Sequence, residues 1–162
     1  MRNLVLALLA AMVLLALSCG GGGGSPSLPP ADRDLSGLVG IWDYTVIYDG
    51  TISGPGGSGP MTFDESGFFI LTRTSVTDYD GDNIAWSYDG SMLTLLDADN
   101  VVVWDATCGN MLLSVTYQWR IPLSPQATFG NTTGSCKISI TSQYCPGTAT
   151  GTLAVTGNMT RR

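Results

Sequence analysis

Apolar and polar residues alternate along much of the chain beyond residue 35. Between residues 113 and 121, every second side chain is large and apolar, and the residues between them are Ser, Thr, Gln and Arg. The same period of two is found in segments 42–48, 84–88 and 150–159. A period of two places successive side chains on opposite faces of a strand, so it predicts antiparallel strands with one buried face.

Turn signals interrupt these apolar runs at short intervals, at 49–50, 64–67, 80–83, 89–90, 97–100 and 109–110. Most contain Asp-Gly or Asp-rich pairs, which suit the positive φ of tight hairpin turns. The pattern predicts an all-β fold, an antiparallel meander of about eight strands in a barrel or a flattened sandwich. The predicted strands are 38–48, 60–64, 67–77, 83–88, 92–97, 101–107, 111–121 and 136–160, the last long enough for two.

The Gly- and Thr-rich final strand is placed to pair with the first strand. Such pairing closes the sheet and removes the exposed edges that invite aggregation.

The chain begins with Arg2 and an apolar run, Leu4–Leu17. The run is shorter than the about 20 residues that a membrane span needs, and a basic start before a short apolar core is typical of a signal peptide. Cys19 follows small residues, and the stretch 15–19 resembles the cleavage signal of bacterial lipoproteins. An ordinary cleaved signal peptide is the alternative.

The lipoprotein resemblance implies that residues 1–18 are removed and that Cys19 carries acyl chains, which anchor the protein in a membrane. Residues 19–34, rich in Gly and Pro, then form a lipid-anchored flexible linker. Gly20 stands where an aspartate would imply retention in the inner membrane, so the resemblance implies an envelope protein of the outer membrane. Residues 35–162 remain for a single β-domain.

Three segments of that domain, in order along the chain, resemble bacterial lipoproteins with a lipocalin-like domain. Residues 40–42 are similar to their G-x-W opening, and residues 61–68 are similar to their second-strand hairpin. Residues 84–95 follow their W-x-x-D-G-x-x-L-x-L pattern. The resemblance, which covers about residues 38–115, implies a lipocalin-like barrel that binds a small apolar ligand at its mouth.

Histidine is absent from the chain. Its absence excludes Ser-His-Asp and Cys-His catalysis and histidine-ligated zinc or haem. Glu65 is the sole glutamate and lies in a predicted turn, so no pair of catalytic carboxylates is predicted. We therefore expect a protein that is not an enzyme and that holds no cofactor.

The net charge of −6 narrows the classes of partner. The one adjacent basic pair is Arg161–Arg162, and nucleic-acid binding requires clustered Lys and Arg. Electrostatic docking on anionic lipid is disfavoured for the same reason. The sequence therefore predicts contact with the membrane through the lipid anchor and no nucleic-acid partner, and it identifies no protein partner.

Residues 78–83 (Asp-Tyr-Asp-Gly-Asp-Asn) have acidic side chains at alternate positions, as calcium loops do. Asn83 stands where the EF-hand loop needs glycine, and a strand follows rather than a helix. We therefore predict a solvated hairpin turn and no metal site.

Cys108, Cys136 and Cys145 are the cysteines of the predicted domain. The compartment that the leader implies is oxidising, so we expect a disulfide. Cys136 and Cys145 are placed to face each other across a predicted hairpin near residues 141–143, and this is the favoured pairing. Three cysteines allow three single pairings, and the sequence does not choose among them.

A set of aromatic side chains is a candidate lining for a ligand cavity: Trp42, Tyr44, Trp86, Tyr117 and Trp119. The alternative is a filled core, because an eight-stranded barrel is just wide enough to be filled or to hold one small ligand. With a filled core, the protein would be a structural or interaction lipoprotein that contacts another envelope component through the polar segment 124–135.

Overall fold

The computed structural model describes residues 34–162. After a short 3₁₀ helix at Ser36–Leu38, the chain forms eight strands. They are β1 (Gly40–Gly54), β2 (Gly57–Leu71), β3 (Val76–Asp78), β4 (Asn83–Tyr88), β5 (Met92–Asp105), β6 (Gly109–Pro122), β7 (Phe129–Ser142) and β8 (Thr148–Arg161).

Each strand pairs antiparallel with the next, and β8 pairs antiparallel with β1, so the sheet closes on itself as a barrel. The last pairing runs from Trp42 opposite Arg161 to Ser53 opposite Thr150. The predicted all-β meander is confirmed, and so is the predicted pairing of the final strand with the first.

Several strands continue through positions that were predicted to be turns. Asp49-Gly50 lies inside β1, residues 64–67 lie inside β2, and residues 97–100 lie inside β5. The two predicted strands 60–64 and 67–77 are therefore mostly one strand. The reason is that a neighbouring strand in register supplies hydrogen bonds along the whole segment, and this outweighs the local preference of Asp and Gly for turns.

Other turn signals are confirmed. Gly81 and Gly90 adopt φ values of 90° and 99° in the β3–β4 and β4–β5 connections. Such left-handed conformations favour glycine because it has no Cβ. The predicted polar segment 124–135 is shorter than expected, since β7 begins at Phe129.

One end of the barrel is filled by apolar side chains, and we call it the closed half. Leu35 and Leu38 from the N-terminal segment and Leu123 from the β6–β7 connection are fully buried there. The Trp42 indole donates its Nε1–H to the Leu38 carbonyl at 2.9 Å, and the Tyr88 hydroxyl donates to the Leu123 carbonyl at 2.9 Å. These bonds satisfy the polar groups that burial would otherwise leave unpaired.

The barrel wall is incomplete on one side of the other end. Strand β2 pairs with β3 only at residues 69–71, and β5 pairs with β4 only at residues 93–96. Residues 57–68 of β2 and 97–105 of β5 therefore have no strand partner on the sides that face each other. We call this gap the side opening and this end of the barrel the open half.

The disulfide joins Cys108 to Cys145, so the favoured pairing of Cys136 with Cys145 is wrong. Cys136 lies in mid-strand on β7, opposite Leu153 of β8, with its thiol buried and free. Cys108 and Cys145 lie in the β5–β6 and β7–β8 turns, which are adjacent because β6 pairs with β7. The bond therefore joins two neighbouring turns at the open half.

The predictions for the signal peptide 1–18, for lipidation at Cys19 and for the linker up to residue 33 fall outside the residues that the structure describes. Within residues 34–162, no helix is both long and apolar enough to cross a membrane.

Candidate functional site

Two tyrosines and a glutamate meet inside the open half. Tyr44 and Tyr48 face inward from β1, and Glu65 faces inward from the paired strand β2. The Tyr44 hydroxyl donates to Oε1 of Glu65 at 2.7 Å, and the Tyr48 hydroxyl donates to Oε2 at 2.9 Å. The sequence prediction that put Glu65 in a turn is wrong, because β2 runs through it and turns its side chain to the interior.

A second tyrosine–carboxylate pair lies on the other side of the side opening from Glu65. Tyr117 of β6 donates its hydroxyl to Oδ2 of Asp97 of β5 at 2.9 Å. Asp99, two residues further along β5, is on the same inward face of the strand. It is exposed because the barrel wall is missing beside it. The open half therefore has carboxylates on both strands that border the side opening.

These carboxylates are not neutralised by neighbouring cations. Burial raises the pKa of Asp97 and Asp99, and repulsion from Asp78, Asp82 and Glu65 raises the pKa of Asp99 further. In the part of the chain that the structure describes, the one ion pair joins Arg162 to Asp43 on the outer surface.

The tyrosines remain hydrogen-bond donors in this environment. Burial raises the pKa of Tyr44, Tyr48 and Tyr117, and the carboxylates of Glu65 and Asp97 raise these pKa values further. Each hydroxyl therefore keeps its proton and holds its carboxylate in place.

Trp119 lies between the two tyrosine–carboxylate pairs. It faces inward from β6, is only 4% exposed, and packs edge-on to Tyr44 at 4.9 Å and stacked against Tyr117 at 5.7 Å between ring centroids. Its Nε1–H is buried and has no acceptor among residues 34–162. A buried donor without an acceptor costs free energy, so this atom is a candidate contact for a ligand.

Asp78 ends β3 at the rim of the side opening. Its Oδ1 accepts from the backbone N–H groups of Asp80 and Asp82, both at 2.9 Å, so it caps the β3–β4 turn. The predicted hairpin turn at residues 78–83 is thus confirmed. No group of three or more ligating side chains suited to a metal ion is found within residues 34–162.

Unfilled space adjoins the side opening. Gly59 faces inward from β2, and a Cβ added there would meet no heavy atom within 4 Å. The next inward residues of β2, Met61 and Phe63, are only partly buried, and Phe63 stacks on Tyr48 with ring centroids 4.5 Å apart. The inner surface here is aromatic and reaches solvent.

The five aromatic residues predicted to line a ligand cavity separate into groups. Tyr44, Tyr117 and Trp119 come together where the closed half meets the open half. Trp42 is buried in the closed half, and Trp86 is a partly buried residue of β4 opposite Leu95.

Sequence reasoning missed the acidic residues of the site, Glu65, Asp97 and Asp99. The signal that would have found them is their spacing. Asp97 and Asp99 continue the alternation of the buried Leu93 and Leu95, so the same face of β5 changes from apolar to acidic.

Cys136, the free thiol, is buried in the barrel wall on β7 and is not a reactive cysteine. Burial and the Glu65 carboxylate raise its pKa to about 12. Because the thiolate is the reactive form, this cysteine is a structural residue.

No family model matches the chain, and no curated protein or solved structure shows significant similarity to it. The site is therefore interpreted from its own residues.

Proposed function

We propose that this protein is a lipid-anchored envelope lipoprotein whose barrel, lipocalin-like in its role, binds a small molecule through the side opening. The observation that carries the proposal is the aromatic, solvent-reaching inner surface beside Gly59. Ligand sites in proteins are concave, mostly apolar, and lined by a few converging polar groups, and the mouths of β-barrels are a common location for them. The proposed role is binding without catalysis.

The filled-core alternative describes only part of the barrel. In the closed half the inward side chains are fully buried, as Trp42, Leu71 and Leu93 are. In the open half the inward residues Met61, Phe63 and Val101 remain partly exposed. A barrel with one filled end and one open end supports a cup-shaped site.

The experiment that tests small-molecule binding is native mass spectrometry of the protein purified gently from its cells. We expect a mass excess of a few hundred daltons that disappears on unfolding. Gly59→Trp should lower this excess, because the indole would narrow the mouth of the open half on the inner side of β2. Ser58→Trp is the matched control, since Ser58 is exposed on the outer side of the adjacent position.

A bare mass for the native protein would contradict the binding proposal. An excess that survives unchanged in Gly59→Trp would show that the ligand does not enter past the mouth beside Gly59. An excess lost equally in Ser58→Trp would point to damage to the β1–β2 hairpin rather than to a filled site.

Membrane anchoring rests on the leader and on Cys19, and it is tested separately. Cys19→Ala should leave the leader uncleaved or release a soluble product, because the acyl chains attach to that cysteine. Fractionation of cells and the mass of the product measure this outcome. A normally processed, membrane-bound variant would refute the anchor.

A second candidate function, contact with another envelope protein, is favoured by an apolar patch on the outer surface. Val102 lies opposite Leu112 on the β5–β6 hairpin, and Trp104 is 70% exposed near its tip. Tyr144, in the β7–β8 turn, is equally exposed. A photo-crosslinking residue at position 104 should then give a discrete adduct in intact cells, and one at the exposed Lys137 should not.

A further inference from the structure

We propose that the ligand of the side opening is a small organic cation, a protonated amine or a quaternary ammonium, which also has a hydrogen-bond acceptor. This inference rests on the proposed binding function and names the chemical class of its ligand. It departs from the apolar ligand that the sequence resemblance implies.

The first argument is the sign of the charge around the side opening. Three carboxylates face inward beside the side opening, those of Glu65, Asp97 and Asp99, and Asp78 lies at its rim, where it caps the β3–β4 turn. The basic side chains that the structure describes lie elsewhere. Arg120 and Lys137 are exposed on outward-facing positions, and Arg161 lies over Trp42 in the closed half.

An uncompensated group of carboxylates attracts cations and repels anions, and low-dielectric walls strengthen the effect. A fatty acid or another anionic ligand would place its charge beside Glu65 and Asp97. Such like-charge contact is unfavourable, so the site discriminates against anions.

The second argument is the aromatic lining, which distinguishes an organic cation from a metal ion. The rings of Tyr44, Trp119 and Tyr117 are in contact next to the carboxylates: Tyr44 meets Trp119 edge-on, and Tyr117 stacks on Trp119. Faces of Trp and Tyr attract ammonium groups, and aromatic cages are a known means of binding quaternary ammonium. The set of three ligating groups that a metal ion would need is not found in residues 34–162.

The third argument is the unpartnered donor of Trp119. Its ring touches Tyr44 and Tyr117, whose hydroxyls bond Glu65 and Asp97, so it lies at the base of the acidic site. The Nε1–H needs an acceptor, and the carboxylates of these two pairs are not within hydrogen-bond distance of it. A hydroxyl, ether or carbonyl oxygen on the ligand would supply that acceptor.

The experiment is isothermal titration of the mature full-length protein with matched pairs of compounds. Choline is compared with 3,3-dimethylbutan-1-ol, its uncharged carbon isostere, and tyramine is compared with 4-ethylphenol. We expect each cation to bind at least about tenfold more tightly than its neutral counterpart, with the preference reduced at high salt.

Two substitutions locate the binding. Asp99→Asn should weaken choline about tenfold, because it removes a charge at the side opening without disturbing a buried bond. Asp64→Asn is the matched control: it removes the same charge one residue from Glu65, but from the outer face of β2. Trp119→Phe should weaken choline more than tetramethylammonium, because both lose the indole face but only choline has an oxygen that accepts from Nε1–H.

The outcomes separate this inference from the binding proposal. Equal binding of the cations and their neutral counterparts, or an anionic or uncharged molecule in the native mass spectrum, would overturn the cation class but keep a binding barrel. Absence of binding by choline and tyramine together with a bare native mass would overturn both. Equal losses in Asp99→Asn and Asp64→Asn would show general attraction to an acidic surface and would also overturn the site.

Discussion

The closed and open halves of the barrel are built from the same strands but differ in what those strands present to the interior. In the closed half β5 turns Leu93 and Leu95 inward, whereas a few residues along the same face it turns Asp97 and Asp99 inward. On β2 the change is from Phe69 to Glu65. The period of two is kept, and only the chemistry of the inward side chain changes.

The difference indicates that fold stability is concentrated at one end of the barrel axis, and the proposed binding site lies towards the other end. Buried apolar area is the dominant favourable term in folding, and most of the fully buried side chains lie in the closed half. Burial disfavours the charged forms of Asp97 and Asp99 and leaves the Trp119 N–H unpaired, and such exceptions to local rules concentrate at functional sites. The disulfide Cys108–Cys145 strengthens the end where the core is weakest.

The largest expected effect comes from breaking the closed half. Trp42→Ala should lower the free energy of unfolding by about 3–5 kcal/mol, because it empties a fully buried site and leaves the Leu38 carbonyl without its donor. Chemical denaturation measures it. Trp86→Ala is the comparison, and we expect a loss of about 1–2 kcal/mol because that side chain is only partly buried. Equal losses at the two positions would show that complete burial does not set the cost of losing a tryptophan here.

The next effect concerns the disulfide. The bond closes a loop with a sequence separation of 37 residues. On the chain-entropy account, replacing Cys108 and Cys145 with Ser should cost about 3–4 kcal/mol. Hydrogen exchange should rise first in the β5–β6 and β7–β8 turns and last at Leu38 and Trp42. Cys136→Ala is the control, and it should leave the exchange of the turns unchanged.

A smaller effect is the pH dependence of stability. The folded-state pKa values of Asp97 and Asp99 are raised, so the folded protein binds protons more readily than the unfolded chain. Stability from these groups is therefore present at acid pH and decreases as pH rises above about 3.8, the ordinary value, through the raised values. Asp97→Asn and Asp99→Asn together should flatten this decrease in thermal melts at a series of pH values.

On the outer surface, Asp43 gives a pH dependence of stability with the opposite sign. Its hydrogen bond with Arg162 lowers its pKa, so the stability from that pair is lost as pH falls through the lowered value. Arg162→Gln removes this contribution and isolates the effect of the open half. An unchanged pH profile in the double Asn variant would contradict the account of the open half.

The sequence predicted the fold well because the alternation recurs in four separate segments, which lie in β1, β4, β6 and β8. Alternation at residues 113–121 and glycines at 81 and 90 fix faces and turns locally, and closure follows from pairing β8 with β1. The errors in the predicted strand bounds share one cause. At 64–67 and 97–100, Asp and Gly indicated turns, but their partners in the neighbouring strands keep the chain extended.

The candidate site was predicted only in its aromatic part. Tyr44, Tyr117 and Trp119 were named because they alternate inward, but their carboxylate partners were assigned to turns. The side opening has no signal in the alternation, because residues 84–88 alternate as other strands do and their pattern does not show how short β3 and β4 are. The disulfide pairing depends on which turns become neighbours, and that is set by the strand order rather than by local spacing.

The smallest expected effect is at Trp104, which is in the open half but points outward. Trp104→Ser should change the free energy of unfolding by no more than about 0.5 kcal/mol, because the side chain is 70% exposed and its removal leaves no cavity. Thermal and chemical denaturation measure this, with Trp42→Ala as the buried comparison. Cation binding should also be unchanged, since the patch and the side opening lie on opposite faces of β5. A loss above 1 kcal/mol would show that the outer patch helps to hold the open half together, and the interior alone would then not account for the difference between the halves.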